Sequence, residues 1–189
     1  MMDYHLRLVE LGFDPQPTKP LATEADASRI EERVGVGLPP DYRRFLLSVG
    51  ENWGCGELPF RETTPRGEDH EIMCFHSAGE VEDLLDSMIT PRNMLTIGVG
   101  NFAAYTCLSI CGLDRGYVYA LDGEFRAYMN DEEFWERYPN LAPEIQEYLR
   151  IRAADELSAK PAGYENVYLL AESFEEFLIA LRPCDDDSE

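Results

Sequence analysis

Hydrophobic side chains recur every three or four positions through most of the first fifty residues, a spacing that predicts helices. The first predicted helix covers residues 4–11. The second begins at Thr23, whose hydroxyl forms a capping-box pattern with the carboxylate of Asp26. The third follows two prolines, which are tolerated in the first helical turn. Its core-facing side chains have i, i+3, i+4 and i+7 spacing: Tyr42, Phe45, Leu46 and Val49. Each helix is followed by a glycine, and the prolines of residues 14–20 predict an extended connector between the first two.

The middle of the chain changes to the pattern of strands. We predict a turn, a short strand, a polar loop and a second strand in that order, over residues 51–56, 57–60, 61–69 and 71–76. Ser77 and Glu80 predict the capping box of a helix that runs through Met88. Three segments rich in β-forming residues then predict an antiparallel meander: residues 95–97, 105–110 and 117–121. A strand over residues 166–170 and a helix from Ser173 to Arg182 follow.

These elements predict an α+β fold, in which a mainly antiparallel sheet is packed by N-terminal and C-terminal helices. The predicted organisation is an N-terminal helix with a proline-rich connector (residues 1–22), one domain (23–182) and an acidic tail (183–189). An acidic helical insertion is predicted within the domain at about residues 124–165. A chain of 189 residues is long enough to bury a core without disulfides or metals.

The charge of the chain restricts its partners. Thirty-seven acidic residues against 16 basic ones give a formal net charge of −21. Nucleic acids are bound by neutralising their phosphates, so we expect no nucleic-acid partner. We expect no membrane partner either, because anionic lipid repels acidic surfaces and the longest apolar runs are too short to span a bilayer. The N-terminal residues lack the pattern of a secretory signal, which predicts a cytoplasmic location.

The cysteines and histidines do not predict a reactive or metal-binding site. The five cysteines form an odd set without a Cys-x-x-Cys pair, so all five are expected to be reduced thiols. Cys74, His70 and His76 are close in sequence but lack the second spaced pair of a zinc site. We therefore expect no metal and no cofactor.

Gly98-Val-Gly100-Asn-Phe-Ala103 matches the glycine fingerprint of dinucleotide-binding folds. That fingerprint requires a helix directly after the glycines, whereas residues 105–110 favour a strand. A glycine-bearing turn between two antiparallel strands is the preferred interpretation. The chain also lacks a phosphate-binding loop, a nucleophile elbow and a His-Glu-x-x-His pair, so an enzyme is not expected.

Several segments, taken in order, resemble the SUKH superfamily. They are Ile30-Glu-Glu-Arg-Val-Gly35, Leu38-Pro-Pro-Asp-Tyr-Arg-Arg-Phe-Leu46, Gly50-Glu-Asn-Trp-Gly54, Leu95-Thr-Ile-Gly98, Tyr117-Val-Tyr-Ala-Leu-Asp122 and Ala171-Glu-Ser-Phe-Glu-Glu-Phe-Leu178. The resemblance covers about residues 24–123 and 166–182. It implies an α+β fold without a catalytic constellation, in which the motif residues form the core.

Bacterial members of this superfamily are associated with immunity to polymorphic toxins, and fungal relatives regulate cell-wall synthesis. The resemblance therefore implies a protein-binding module that neutralises a cognate toxin, with a nuclease as the toxin favoured by the acidic charge. A basic toxin domain is the expected partner, and the protein is expected to be a monomer or a homodimer. The alternative is a regulatory or scaffolding protein of the same fold without a toxin partner.

The candidate contact residues are the acids near the first predicted loop and strand, at one strand end and in the insertion: Glu57, Glu68, Asp69, Glu71, Asp122, Glu124, Asp131, Glu132 and Glu133. Trp53 stands in the predicted turn where a small or polar residue is more usual. It is interpreted either as a core aromatic or as an exposed interface anchor.

Overall fold

A computed structural model describes residues 2–14, 19–64, 67–85, 93–101, 104–122 and 167–184, with the backbone alone for residues 62–64, 67 and 68. The acidic insertion predicted over residues 124–165 and the last five residues of the predicted tail lie outside these ranges. Within them, no helix is long and apolar enough to cross a bilayer.

The described residues form five helices, each at a position that the sequence predicts. They are α1 (Tyr4–Glu10), α2 (Glu24–Val34), α3 (Pro40–Ser48), α4 (Ala78–Leu84) and α5 (Phe174–Ala180). The capping boxes predicted at Thr23 and Ser77 are both present, and Ser173 accepts a hydrogen bond from the Glu176 amide. Gly35 ends α2 in the left-handed conformation, with φ of 73°, which favours glycine.

Seven strands form one antiparallel sheet in the spatial order β6-β5-β4-β3-β2-β1-β7. Their bounds are β1 (Asn52–Thr64), β2 (Gly67–Phe75), β3 (Met94–Val99), β4 (Ala104–Ser109), β5 (Val118–Asp122), β6 (Val167–Ala171) and β7 (Arg182–Pro183). Consecutive strands are neighbours from β1 to β6, so the predicted meander is confirmed. The α+β class with a mainly antiparallel sheet is confirmed as well.

An aromatic cluster joins the helices to the sheet. The rings of Phe45 in α3 and Phe174 in α5 lie 4.8 Å apart, and both contact Phe75 at the end of β2. Tyr4 and Leu8 of α1 are buried in the same core, so the N-terminal helix packs as part of the folded unit. A second apolar cluster contains Met94, Cys107, Tyr119, Leu121, Val167 and Leu169.

The turn predicted for residues 51–56 is wrong, because β1 begins at Asn52. The glycines of this segment suggest a turn, but Gly54 instead lets β1 pass close to Phe13. A Cβ atom on Gly54 would lie 2.5 Å from the Cα atom of Phe13, so only glycine lets the strand pass beneath that buried ring.

Three further boundaries differ from the prediction. The helix predicted to run through Met88 ends at Leu84. The polar loop predicted for residues 61–69 is wrong, since β1 continues to Thr64 and β2 begins at Gly67, with Thr64 paired to Gly67. The last helix stops at Ala180 instead of reaching Arg182, and Arg182 and Pro183 pair with Glu57 and Gly56 of β1. The backbone leaves the helix in an extended conformation at Leu181, which is buried, and β7 lies on the edge of the sheet.

The expectation of five reduced thiols is also wrong. Cys55 in β1 and Cys184 after β7 form a disulfide with a Cα–Cα separation of 5.5 Å. These residues are 129 positions apart, and only the pairing of β7 with β1 brings them together. Cys74, Cys107 and Cys111 are not disulfide-bonded.

Candidate binding surface

Three of the predicted contact residues lie together on β1 and β2. Glu57 and Glu71 are direct cross-strand partners, and Asp69 is opposite Pro59, the second residue after Glu57. The Glu57 side chain is 19% exposed and that of Asp69 is 37% exposed. We name Glu57, Asp69 and Glu71 the hairpin acidic surface.

One cation lies against this surface. Arg182 of β7 places Nη2 3.1 Å from Asp69 Oδ1 and 3.5 Å from Glu57 Oε1. The Glu71 carboxylate instead accepts a hydrogen bond from the Asn101 side-chain amide. Among the described residues, these three carboxylates therefore outnumber the one guanidinium that contacts this surface. The sequence pattern does not indicate this role of Arg182, because it predicts that residue as the end of a helix.

Trp53 lies near the start of β1 and is half exposed. Its indole Nε1 donates a hydrogen bond of 2.8 Å to Glu51 Oε1, and the Glu51 carboxylate is itself buried. The interpretation of Trp53 as a core aromatic is therefore wrong. The hydrogen bond fixes the orientation of the indole, while half of its surface remains available to solvent.

Lys19 holds two carboxylates beside Trp53. Its Nζ atom lies 2.8 Å from Glu51 Oε2 and 2.6 Å from Glu80 Oε1. Hydrogen bonds to Glu51 and Glu80 raise the pKa of Lys19. Burial raises the pKa of Glu80, but hydrogen bonds from Lys19 and Ser77 outweigh it and lower that pKa overall. Lys19 comes from the connector before α2, and no local pattern in the sequence indicates this contact.

Of the other acidic contact residues predicted, only Asp122 has a described side chain, and it is buried away from the hairpin acidic surface. Asp122 is only 3% exposed, because β5 is an inner strand with neighbours on both sides. The Glu68 side chain, together with Glu124, Asp131, Glu132 and Glu133, lies outside the described part of the chain.

Cys74, Cys107 and His70 lie in buried positions. Burial raises the pKa of Cys74 and of Cys107 to about 12, so both are protonated near neutral pH and poor nucleophiles. His70 is buried with Nε2 2.9 Å from Thr106 Oγ1. Among the residues that the structure describes, no three His, Cys, Asp or Glu side chains are grouped so as to hold a metal ion.

The glycine motif at residues 98–103 has a structural explanation. Gly100 begins the connection from β3 to β4, and its amide donates to the Ala104 carbonyl. A Cβ atom on Gly98 would lie 2.6 Å from Ile72 Cδ1 and 2.7 Å from the Cys74 carbonyl oxygen. A strand follows instead of a helix, so the preferred interpretation as a turn between antiparallel strands is confirmed.

A cleft of about 340 Å³ lies between β1, β6 and the end of α5. Leu58, Phe60 and Leu170 form part of its apolar lining. Its two cationic residues are already paired, Arg61 with Glu172 and Glu176, and Arg182 with the hairpin acidic surface. The cleft therefore presents no uncompensated cation to an anionic ligand.

The order of elements and the positions of the motif residues agree with the resemblance found in the sequence. The motif residues Leu38, Tyr42, Phe45, Leu46 and Phe174 are all buried in the core, as it implies. No curated protein matches the chain. The sequence model of the SMI1 / KNR4 family (SUKH-1) matches residues 21–180, so the chain belongs to this family.

Proposed function

We propose that this chain is a non-catalytic immunity-type protein that binds a basic toxin domain and neutralises it. Membership of the SMI1 / KNR4 family (SUKH-1) supports a binding or regulatory module. The choice of a basic partner rests on the charge of the chain and on the hairpin acidic surface.

The pairing of Glu57 with Glu71 is the observation that carries the proposal. Like charges directly opposite each other on neighbouring strands destabilise a sheet. Here Asp69 adds a third carboxylate, and within the described residues Arg182 contacts Glu57 and Asp69 but not Glu71. A pair of like charges that destabilises the free protein is compatible with a binding surface, because a cationic partner would neutralise the repulsion in the complex.

The acidic charge supplies a mechanism of inhibition. A nuclease presents a positive groove to phosphate, and a protein with a net charge of −21 is attracted to that groove. Occupying the groove excludes nucleic acid. Electrostatic attraction acts mainly on the association rate, whereas apolar contacts set the lifetime of the complex.

Trp53 is the proposed apolar contact. Tryptophan is enriched among the residues that dominate interface energies, particularly where a rigid ring enters a pocket of the partner. The indole is held by Glu51 before binding, so little conformational freedom is lost on association.

The rival is a scaffolding or regulatory protein of the same family. It would bind its partner without inhibiting an activity, and its affinity would not need a steep salt dependence. Inhibition together with salt dependence therefore separates the two functions.

The experiment is affinity capture from the lysate and secreted fraction of the native organism, eluting from about 0.05 M to about 0.5 M NaCl. We expect a protein with a basic domain to elute as salt rises, and its activity to be lost when this chain is added back. Recovery only of proteins whose activity is unaffected by the chain would contradict the proposal and favour the scaffold.

A pair of variants tests the surface itself. Glu57→Gln with Glu71→Gln removes two charges from the hairpin acidic surface. Glu32→Gln with Asp83→Asn removes two charges from exposed positions on α2 and α4. We expect the first variant to bind the captured partner more slowly and with a weaker salt dependence than the second. Equal association rates would contradict the proposed location of the site.

A further inference from the structure

The disulfide between Cys55 and Cys184 fastens the shortest strand of the sheet. β7 contains only Arg182 and Pro183, which pair with Glu57 and Gly56 of β1. The Cys184 amide adds a long hydrogen bond of 3.4 Å to the Cys55 carbonyl oxygen. Both paired residues of β7 are exposed, so almost no apolar burial supports this strand.

Non-covalent contacts hold β7 weakly. Pro183 has no amide hydrogen and cannot donate a hydrogen bond to β1. The Arg182 side chain is more than half exposed, and exposed ion pairs contribute little to stability. The disulfide is therefore the main restraint on residues 182–184.

The chain before β7 is fixed independently of the disulfide. Leu181 is buried at 1% exposure, and its carbonyl oxygen accepts a hydrogen bond of 2.7 Å from Arg7 Nη2. Arg7 Nε also donates to the Leu178 carbonyl oxygen at 3.0 Å. Opening of the disulfide would thus leave α5 in place and release only the residues after Leu181.

We propose that the Cys55–Cys184 disulfide is a redox-sensitive clasp, whose reduction detaches β7 from β1 and removes Arg182 from the hairpin acidic surface. In the oxidised protein, Arg182 compensates Glu57 and Asp69. In the reduced protein, these carboxylates and the edge of β1 at Cys55 and Glu57 are uncovered. An uncovered strand edge is also a template for pairing with another chain.

The exchange reaction needs a dithiol as the reductant. One thiolate of the dithiol attacks a sulfur of the protein disulfide, forms a mixed disulfide and displaces the other cysteine as a thiolate, which takes up a proton. The second thiol of the reductant, as its thiolate, then attacks the mixed disulfide and releases the second cysteine. The protein gains two electrons and two protons, and the dithiol becomes a cyclic disulfide.

The position of the two sulfurs makes this pair selective. Cys55 and Cys184 are both partly exposed at the edge of the sheet. Cys74 and Cys107 are buried, so they are poorly placed to compete in the exchange. Cys111 is the remaining cysteine outside the disulfide, and it is partly exposed, so it serves as the control.

Clasp opening is a property of the protein alone, and only its effect on a partner rests on the proposed function. The test therefore contains no partner. The full chain is equilibrated with oxidised glutathione or with dithiothreitol, and disulfides are identified by mass spectrometry of unreduced peptides. Amide hydrogen exchange is then measured for residues 55–58, Arg182 and Cys184 in both states.

We expect Cys55 and Cys184 to be linked in the oxidised sample. Reduction should speed amide exchange at Arg182 and Cys184 by about tenfold or more, while Leu178 and Leu181 stay protected. Cys184→Ser should exchange like the reduced protein under both conditions. Cys111→Ser should keep the full response to dithiothreitol.

Two results would overturn the clasp. One is recovery of Cys55 and Cys184 as free thiols after treatment with oxidised glutathione. The other is equal exchange at Arg182 and Cys184 in the oxidised and reduced wild-type protein. The second result needs no substitution, so a folding defect of a variant cannot obscure it.

Discussion

Asp41, at the start of α3, accepts a hydrogen bond through Oδ2 from the backbone amide of Phe174, at the start of α5, with a length of 3.1 Å. The same oxygen accepts from the Glu175 amide at 3.3 Å. The first amides of a helix have no partners within it, and a carboxylate there also interacts favourably with the helix dipole. Asp41 thus links two family motifs that are 133 residues apart.

We predict that Asp41→Ala lowers the free energy of unfolding by about 1–2 kcal/mol, because α5 loses a cap that Ser173 alone does not replace. Asp41→Asn keeps an acceptor oxygen without the charge and should lose less. Urea unfolding measures the free energy of unfolding of both variants, with Asp83→Ala, at an exposed position on α4, as the control. If Asp41→Ala and Asp83→Ala unfold at the same urea concentration, the cap has no energetic role.

Local patterns were sufficient to predict the helices. A capping box needs only residues three positions apart, and Thr23 with Asp26 and Ser77 with Glu80 both form as the sequence predicts. The meander was equally predictable from the sequence, since its strands follow one another in space as in sequence. The family motifs then supplied the order of these elements.

The features that the sequence did not predict depend on distant residues. Gly54 looks like a turn residue until Phe13, 41 positions earlier, is placed against it. The Cys55–Cys184 pairing requires β7 to pair with β1, which no local pattern indicates. The acids of the candidate site were identified one by one, but their arrangement depends on the register of β1 against β2, in a region interpreted partly as a turn and a loop.

We predict that Gly100→Ala destabilises the fold by about 2 kcal/mol or more, because the new methyl group would overlap the Glu71 carbonyl oxygen. The matched control is Gly79→Ala in α4, where a Cβ atom has no neighbour within 4 Å. That substitution should stabilise the protein by about 0.5–1 kcal/mol through helix propensity. Thermal or urea unfolding compares the two, and an unaffected Gly100→Ala would show that the turn can move away from β2.

We predict that His76 makes the protein less stable as the pH falls below about 6.5. Burial lowers the pKa of His76, although the Thr96 carbonyl and the carboxylates of Glu80 and Glu51 partly oppose that shift. The unfolded chain therefore takes up a proton at a higher pH than the folded chain. The stability contributed by neutral His76 is therefore complete above its pKa in the unfolded chain. It is lost as the pH falls towards its lower pKa in the folded chain.

The free energy of unfolding measured between about pH 7.5 and pH 5.5, on either side of the unfolded pKa, tests this prediction. His76→Gln should reduce the loss of stability in this interval, whereas His5→Gln, at an exposed position on α1, should leave it unchanged. An identical pH dependence in wild type and His76→Gln would contradict the assignment to His76.

Trp53 provides the last prediction, which separates a structural role from a binding role. Half of the indole is exposed, so Trp53→Phe should lower the free energy of unfolding by only about 1–2 kcal/mol, mainly because the buried Glu51 carboxylate loses a hydrogen-bond donor. If Trp53 is an interface anchor, however, the truncation Trp53→Ala should weaken binding of the proposed partner by about 30-fold or more. Leu113→Ala is the control, since Leu113 is an apolar residue with 70% exposure outside the proposed site. Binding is measured by titration calorimetry and stability by urea unfolding of the same samples. A large loss of stability with unchanged affinity would assign Trp53 to the fold and leave the hairpin acidic surface without its apolar contact.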